Sequence, residues 1–94
     1  MLRARHPPGK VVSTRIADMV RRKVDAGTLP IDTPKKLWRG IGSGKPCSAC
    51  EAVILAADVE FEPQYDGRPS VVRFHVGCHG LWEAERRRRS HLPK

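Results

Sequence analysis

Pro46-Cys47-Ser48-Ala49-Cys50 and His75-Val76-Gly77-Cys78 are the two stretches of this 94-residue chain that decide its fold. Each stretch presents two metal-ligating side chains with two residues between them, and 24 residues separate the two pairs. Zinc takes four nitrogen or sulfur ligands in a tetrahedron, and a Cys-x-x-Cys turn brings two thiolates to one ion. The sequence therefore predicts one structural zinc ion with the ligands Cys47, Cys50, His75 and Cys78.

The sequence leaves two alternatives open: another histidine as the fourth ligand, and a redox function for the first two cysteines instead of metal binding. His79 is a rival fourth ligand because it lies four residues after His75 on the same helix face, but we favour His75 because Cys78 is the surer ligand of the Cys78-His79 pair. A redox pair formed by Cys47 and Cys50 requires a helix that begins inside the pair and a parallel-sheet pattern around it. The segment after Cys50 looks strand-like, so we favour metal binding.

The composition of the chain indicates that a zinc ion is needed for folding. Only five residues are Phe, Trp or Tyr, and three cysteines are an odd number that argues against a disulfide framework and for a reducing compartment. A core this small barely offsets the entropy of ordering the chain, whereas structural zinc contributes on the order of 10 kcal/mol or more. We therefore expect a chelator to unfold residues 46–89. The predicted core consists of Val53, Ile54, Leu55, Val59, Phe61, Val72, Phe74, Leu81 and Trp82.

The residue pattern predicts a small α+β, zinc-stabilised domain preceded by one amphipathic helix. We expect a flexible basic arm at 1–12, a helix at 13–27 that Gly27 ends, and a Pro/Gly-rich linker at 28–45. Trp38 in that linker is expected to cover the core of the zinc-binding domain, which spans 46–89 and is followed by a tail at 90–94. Within the domain, alternating residues predict strands at 59–62 and 72–75 that form a hairpin, and a helix follows from Val76.

The order of a two-cysteine knuckle, a β-hairpin and a helix that supplies the last ligands resembles the treble-clef class of zinc fingers. The resemblance covers about 44–89. The phrases Gly-Lys-Pro-Cys-Ser-Ala-Cys and Phe-His-Val-Gly-Cys-His-Gly-Leu-Trp-Glu are also similar to small bacterial zinc-binding proteins of uncharacterised function. The chain departs from the common knuckle at Glu51, where such knuckles usually have a glycine that tolerates positive φ.

Several catalytic functions are excluded by missing residues. Four protein ligands close the zinc shell and leave no position for a reacting water. A nucleobase deaminase requires a His-x-Glu upstream of Pro-Cys-x-x-Cys, and the only upstream histidine is His6. Pro46 follows Lys45 where a phosphate-binding loop needs Ser or Thr. We therefore expect no catalytic residues and no small-molecule substrate.

The net charge of +8 suggests a polyanionic partner. Residues 1–46 carry 11 basic and 3 acidic side chains, whereas residues 47–94 carry 7 of each. One hypothesis is a nucleic-acid-binding protein that binds DNA in transcription regulation, located in the cytoplasm or on the nucleoid. The alternative hypothesis is a protein–protein interaction adaptor. A membrane partner is not expected, because no apolar run in the sequence is long enough to span a bilayer. The nucleic-acid contacts would come from Arg15, Arg21, Arg22, Lys23, Lys35, Lys36, Arg86, Arg87, Arg88 and Arg89.

Overall fold

The chain forms two helices and one three-stranded antiparallel sheet in a computed structural model that describes residues 8–67 and 72–90. The elements in chain order are α1 (Pro8–Asp25), β1 (Lys36–Ile41), β2 (Val59–Gln64), β3 (Phe74–His75) and α2 (Val76–Ser90). The strands lie in the order β1-β2-β3. The predicted small α+β class is confirmed.

Helix α1 begins earlier than the sequence predicted. It starts at Pro8, within the range expected to be an arm, because a proline at the first helical position has no N–H to leave unpaired and a φ suited to a helix. At its other end, Gly27 has a φ of +82°, and the Thr28 N–H donates to the Lys23 carbonyl over 2.9 Å. Gly27 is therefore the predicted C-terminal cap. Residues 1–7 and 91–94, which hold most of the expected arm and tail, lie outside the described residues.

The range 28–45, predicted to be a linker, contains strand β1. Its six residues pair antiparallel with β2, so that Trp38 lies opposite Glu62 and Ile41 opposite Val59. Glycines and prolines around β1 hide its strand pattern, and its partner lies about twenty residues further along the chain. Trp38 is 44% exposed and its indole lies over Gly40, where a Cβ atom would collide with the ring. The expectation that Trp38 covers the core is therefore wrong.

The predicted hairpin is confirmed, with one strand longer and the other shorter than expected. Strand β2 continues to Gln64, whereas β3 contains only Phe74 and His75. The register places Phe61 opposite Phe74 and would place Val72 opposite Pro63. Proline has no N–H to donate to the next ladder bond, which explains why the pairing stops there.

The core lies between the two helices, the knuckle and β3. Trp82 is fully buried on α2, and its Nε1–H donates to the Pro30 carbonyl over 2.9 Å. Val20 and Val24 are buried, and Ile16 packs against the same cluster, so α1 shares one core with the segment that carries the predicted metal ligands. The predicted core residues Ile54, Phe74 and Trp82 are buried. The prediction is wrong for three exposed side chains, Val53, Leu55 and Val59.

Candidate metal centre

The structure brings the four predicted ligands together. The ligand atoms of Cys47, Cys50, His75 and Cys78 all lie within 4.8 Å of one another. His75 Nδ1 is 3.5 Å from Cys50 Sγ and 3.9 Å from Cys78 Sγ. A tetrahedral zinc ion with ordinary bond lengths separates its sulfur and nitrogen ligands by about 3.6 Å. The cluster therefore has the size and the donor atoms to hold one metal ion.

The knuckle that carries Cys47 and Cys50 is a tight turn of the main chain. The Cys47 N–H donates to the Ala52 carbonyl over 2.8 Å, and the Ala49 N–H points to Cys47 Sγ over 3.4 Å. Glu51 has a φ of +72°, the left-handed conformation for which glycine is usual. Glu51 therefore adopts the backbone conformation that glycine would have, at a cost in conformational energy.

Helix α1 holds the knuckle through one lysine. Lys23 Nζ donates to the Ser48 carbonyl over 3.1 Å and to Glu51 Oε2 over 2.6 Å. This ion pair lowers the pKa of Glu51 through the hydrogen bond from Lys23 and its positive charge. Lys23, which the sequence suggested as a nucleic-acid contact, instead connects α1 to the metal centre.

Ser48 joins the two halves of the centre. Its N–H donates to the Arg73 carbonyl over 2.7 Å, and its Oγ accepts a hydrogen bond from the Arg73 N–H over 3.0 Å. Arg73 precedes His75 by two residues, so this pair of bonds sets the distance between the knuckle and the second ligand pair. This role of Ser48 was not predicted from the sequence, although its place between the two cysteines is a signal for it.

Glu60 is a buried carboxylate that supports the same region. Its oxygens accept hydrogen bonds from the Ser43 N–H and hydroxyl over 2.8 and 2.7 Å, and from Arg73 Nε over 3.1 Å. Burial opposes ionisation, but the hydrogen bonds from the Glu62 carboxyl group in its protonated form and from Ser43 and Arg73 outweigh it and lower the pKa of Glu60 to about 2. Alternation of apolar and charged residues in a strand is typical of charged side chains that face solvent, which would place Glu60 on the exposed face. The opposite holds, because its partners come from segments distant in the sequence.

The two candidate histidines have different surroundings. His75 Nε2 lies 3.3 Å from the Val53 carbonyl, which can only accept a hydrogen bond, so Nε2 carries the proton and Nδ1 is left to bind a metal. His79 is buried, with its ring 4.7 Å from Phe61 and 5.7 Å from Trp82 between centroids. Burial lowers the pKa of His79. The structure therefore places His75, and not His79, in the cluster.

The three thiols ionise unequally because they lie so close together. A hydrogen bond from the Cys78 thiol, aided by main-chain N–H groups, outweighs burial and lowers the pKa of Cys47 to about 4. Burial raises the pKa of Cys50, and donation to Cys47 raises that of Cys78. Three neighbouring thiolates repel one another, and a bound dication would remove that repulsion.

The C-terminal arginines, predicted as nucleic-acid contacts, pair with carboxylates of the fold. Arg88 and Arg89 each lie 2.6 Å from Glu85, and Arg89 also reaches Asp25 of α1 over 2.8 Å. The hydrogen bond from Arg88, with that from Arg89, outweighs burial and lowers the pKa of Glu85. Arg86 and Arg87 lie within 4.0 Å of Glu83, and the Arg86 guanidinium lies 4.6 Å from the centre of the Trp82 ring.

The other predicted nucleic-acid contacts divide into two groups. Arg21 pairs with Asp18, and Lys35 pairs with Asp66 over 3.0 Å. Among the described residues, Arg15, Arg22 and Lys36 are exposed and form no ion pair. Arg15 and Arg22 lie seven residues apart and therefore on one face of α1. Arg15, Arg22 and Lys36 are therefore the predicted contacts whose positive charge is available to an anion.

Comparisons with known proteins add no further assignment. No protein-family model, no curated protein and no solved structure matches the chain. Within 8–67 and 72–90, neither helix has the length and apolar character needed to cross a membrane. The assignment of the metal centre therefore depends on its geometry.

Proposed function

We propose that the protein is a structural zinc protein in which Cys47, Cys50, His75 and Cys78 bind one zinc ion in a treble-clef arrangement. The observation that carries this proposal is the convergence of three cysteine sulfurs and one His75 ring nitrogen within 4.8 Å. Thiolates with imidazole in a tetrahedral set favour zinc over the hard cations, which prefer oxygen. The chemistry of the donor set therefore fits zinc.

The zinc ion has a structural role and not a catalytic one. Four protein ligands fill its shell, and the side chains near it are already engaged: Ser48 accepts from Arg73, and Glu60 accepts from Ser43 and Arg73. Neither a water position on the ion nor a general base beside it is left among these groups. When bound, zinc holds the knuckle against the start of α2, and the shared core extends that order to α1.

Metal analysis and cobalt substitution test this proposal. We expect the protein purified under reducing conditions to hold one zinc ion per chain. Cobalt in the same site is expected to give the strong visible absorption of a tetrahedral ion and thiolate charge-transfer bands. A Cys50→Ser variant should lose the charge-transfer intensity in part, whereas a control variant at the exposed Lys36, Lys36→Ala, should match the wild type. A folded, metal-free protein or a six-coordinate cobalt spectrum would reject the proposal.

Nucleic-acid binding is the second proposed activity, with transcription regulation in the cytoplasm as its setting. Its support is the excess charge of residues 1–46, together with Arg15 and Arg22 on one exposed face of α1. The C-terminal arginines are excluded from this proposal because carboxylates of the fold engage them. The binding would be electrostatic and would weaken steeply with salt.

Titration of random duplex DNA at two salt concentrations tests this activity. An Arg15→Ala/Arg22→Ala double variant should weaken binding for every sequence and reduce the salt slope by about 2. The control is Arg88→Ala, which removes the same charge from an exposed arginine that is paired with Glu85. Absence of binding at low salt would leave the alternative, a protein–protein interaction adaptor.

A further inference from the structure

Strand β1 is the outer strand of the sheet, and its outward edge is open. In an antiparallel pair, every second residue of a strand hydrogen-bonds to the neighbouring strand. The Gly42 N–H donates to the Asp58 carbonyl over 2.9 Å, so residues 36, 38 and 40 are the ones that bond to β2. The main-chain groups of Leu37, Arg39 and Ile41 therefore point away from the sheet. No described residue hydrogen-bonds to them. An edge of this kind is a template for another strand.

The side chains along this edge are apolar on both faces of the sheet. Leu37 and Ile41 are 44% and 73% exposed and lie on one face, because strand side chains alternate. Trp38, on the other face, is also partly exposed, as is Val59 opposite Ile41. A strand added beside β1 would cover apolar surface above and below its own main chain.

The charges along β1 select the chemistry of the added strand. Lys36 and Arg39 are exposed and have no ion-pair partner among the described residues. Directly opposed side chains in an antiparallel pair lie about 4.5–5.5 Å apart between Cβ atoms, close enough for opposite charges to stabilise the pair. Acidic residues opposite Lys36 and Arg39 are therefore favoured. A second copy is disfavoured, because pairing centred on Arg39 would oppose two arginines in chains of net charge +8.

We propose that β1 binds an extended acidic peptide of a partner protein as a fourth, antiparallel strand. Main-chain bonds to Leu37, Arg39 and Ile41 would supply affinity, and alternate side chains would supply selectivity. The matching peptide has acidic residues opposite Lys36 and Arg39 and apolar residues opposite Leu37, Trp38 and Ile41. This proposal goes beyond the structural zinc ion and depends neither on nucleic-acid binding nor on the C-terminal arginines.

Amide chemical shifts of the zinc-loaded, full-length protein test the proposal. The probe is the acetylated and amidated hexapeptide Val-Thr-Glu-Val-Ile-Glu, which carries the matching pattern in antiparallel register. We expect it to shift the amides of Leu37, Arg39 and Ile41. The charge-reversed peptide Val-Thr-Lys-Val-Ile-Lys should bind roughly tenfold more weakly, because two cross-strand pairs change from attraction to repulsion.

Two controls separate strand addition from nonspecific attraction. A Lys36→Glu/Arg39→Glu variant, changed only at exposed positions, should prefer the lysine peptide. The amide N–H of the first glutamate would donate to the Arg39 carbonyl. A peptide that is N-methylated at this nitrogen has the same charge as the unmodified peptide but should not bind. Equal binding of the two peptides, unchanged binding of the N-methyl peptide, or shifts confined to α1 or α2 would overturn the proposal. So would an oligothymidylate that shifts the β1 amides when the hexapeptide does not, or dimerisation through β1 without peptide.

Discussion

His75 Nε2 donates a hydrogen bond to the main-chain carbonyl of Val53 over 3.3 Å, across 22 residues of sequence. Val53 closes the knuckle, because it pairs with Pro46 in an isolated β-bridge. The turn that carries the first two ligands therefore also orients the ring of the third. Hydrogen bonds of this type fix the tautomer and direction of a metal-bound histidine.

Replacement of His75 is expected to impair metal binding much more than replacement of His79. In His75→Ala the cluster keeps three thiols and loses its only nitrogen ligand, so zinc affinity should fall sharply. In His75→Cys a fourth sulfur replaces the nitrogen, and binding of about one ion per chain should persist. Competition with a chromophoric chelator measures both affinities.

His79→Phe is the matched control for the histidine replacements. His79 lies among Phe61, Phe74 and Trp82, where another aromatic ring can pack, so this variant should bind zinc as the wild type does. Loss of zinc in His79→Phe with retention in His75→Ala would contradict the assignment of the fourth ligand.

Removal of the metal is expected to unfold α1 together with the zinc-binding domain. Val20 and Val24 of α1 share one core with Phe74, Cys78 and Trp82, so the helix has no separate core to retain. Loss of a contribution on the order of 10 kcal/mol exceeds what a small domain can spare. Far-ultraviolet circular dichroism should lose most of its helical signal when a strong chelator is added, and zinc should restore it. A chelated protein that keeps the helical signal and a dispersed amide spectrum would contradict this prediction.

Trp82 and Trp38 offer a matched pair of substitutions. Trp82→Phe removes the hydrogen bond to the Pro30 carbonyl and part of a fully buried side chain, so it should lower the free energy of unfolding by about 1–3 kcal/mol. Trp38→Phe, on the exposed edge, should change it by no more than about 0.5 kcal/mol. Urea unfolding of the zinc-loaded variants, followed by circular dichroism, measures both. Equal effects of the two substitutions would contradict the burial of one tryptophan and the exposure of the other.

Glycine at position 51 is expected to stabilise the knuckle relative to alanine. Glu51→Gly and Glu51→Ala both remove the ion pair with Lys23, so their difference isolates the main chain at a φ of +72°. Glycine adopts a positive φ without the steric cost that alanine has, but it also loses more conformational freedom on folding. We expect the first effect to be larger, so that Glu51→Gly is roughly 0.5–1 kcal/mol more stable than Glu51→Ala. Thermal unfolding at a fixed zinc concentration compares the two variants. Greater stability of Glu51→Ala would show that the positive φ is not maintained in solution.

Local patterns in the sequence predicted the elements whose structure depends on near neighbours. The two ligand pairs, the cap at Gly27 and the helix that follows His75 all depend on spacings of a few residues, and the structure has each of them. The sequence did not predict β1, because its partner strand lies outside any local window. It also suggested the wrong environment for Glu60, since the donors Ser43 and Arg73 come from other segments.

By itself, the sequence determined the donor atoms of the metal centre and the α+β class, because both follow from residue types at fixed short spacings. Only the tertiary structure decided between His75 and His79, since the choice depends on which ring faces the sulfurs and which is buried among aromatic side chains. It also decided that α1 packs on the helix that carries Cys78 and that the C-terminal arginines form ion pairs with carboxylates of the two helices. These outcomes depend on contacts between distant segments, whose free energy no local pattern contains.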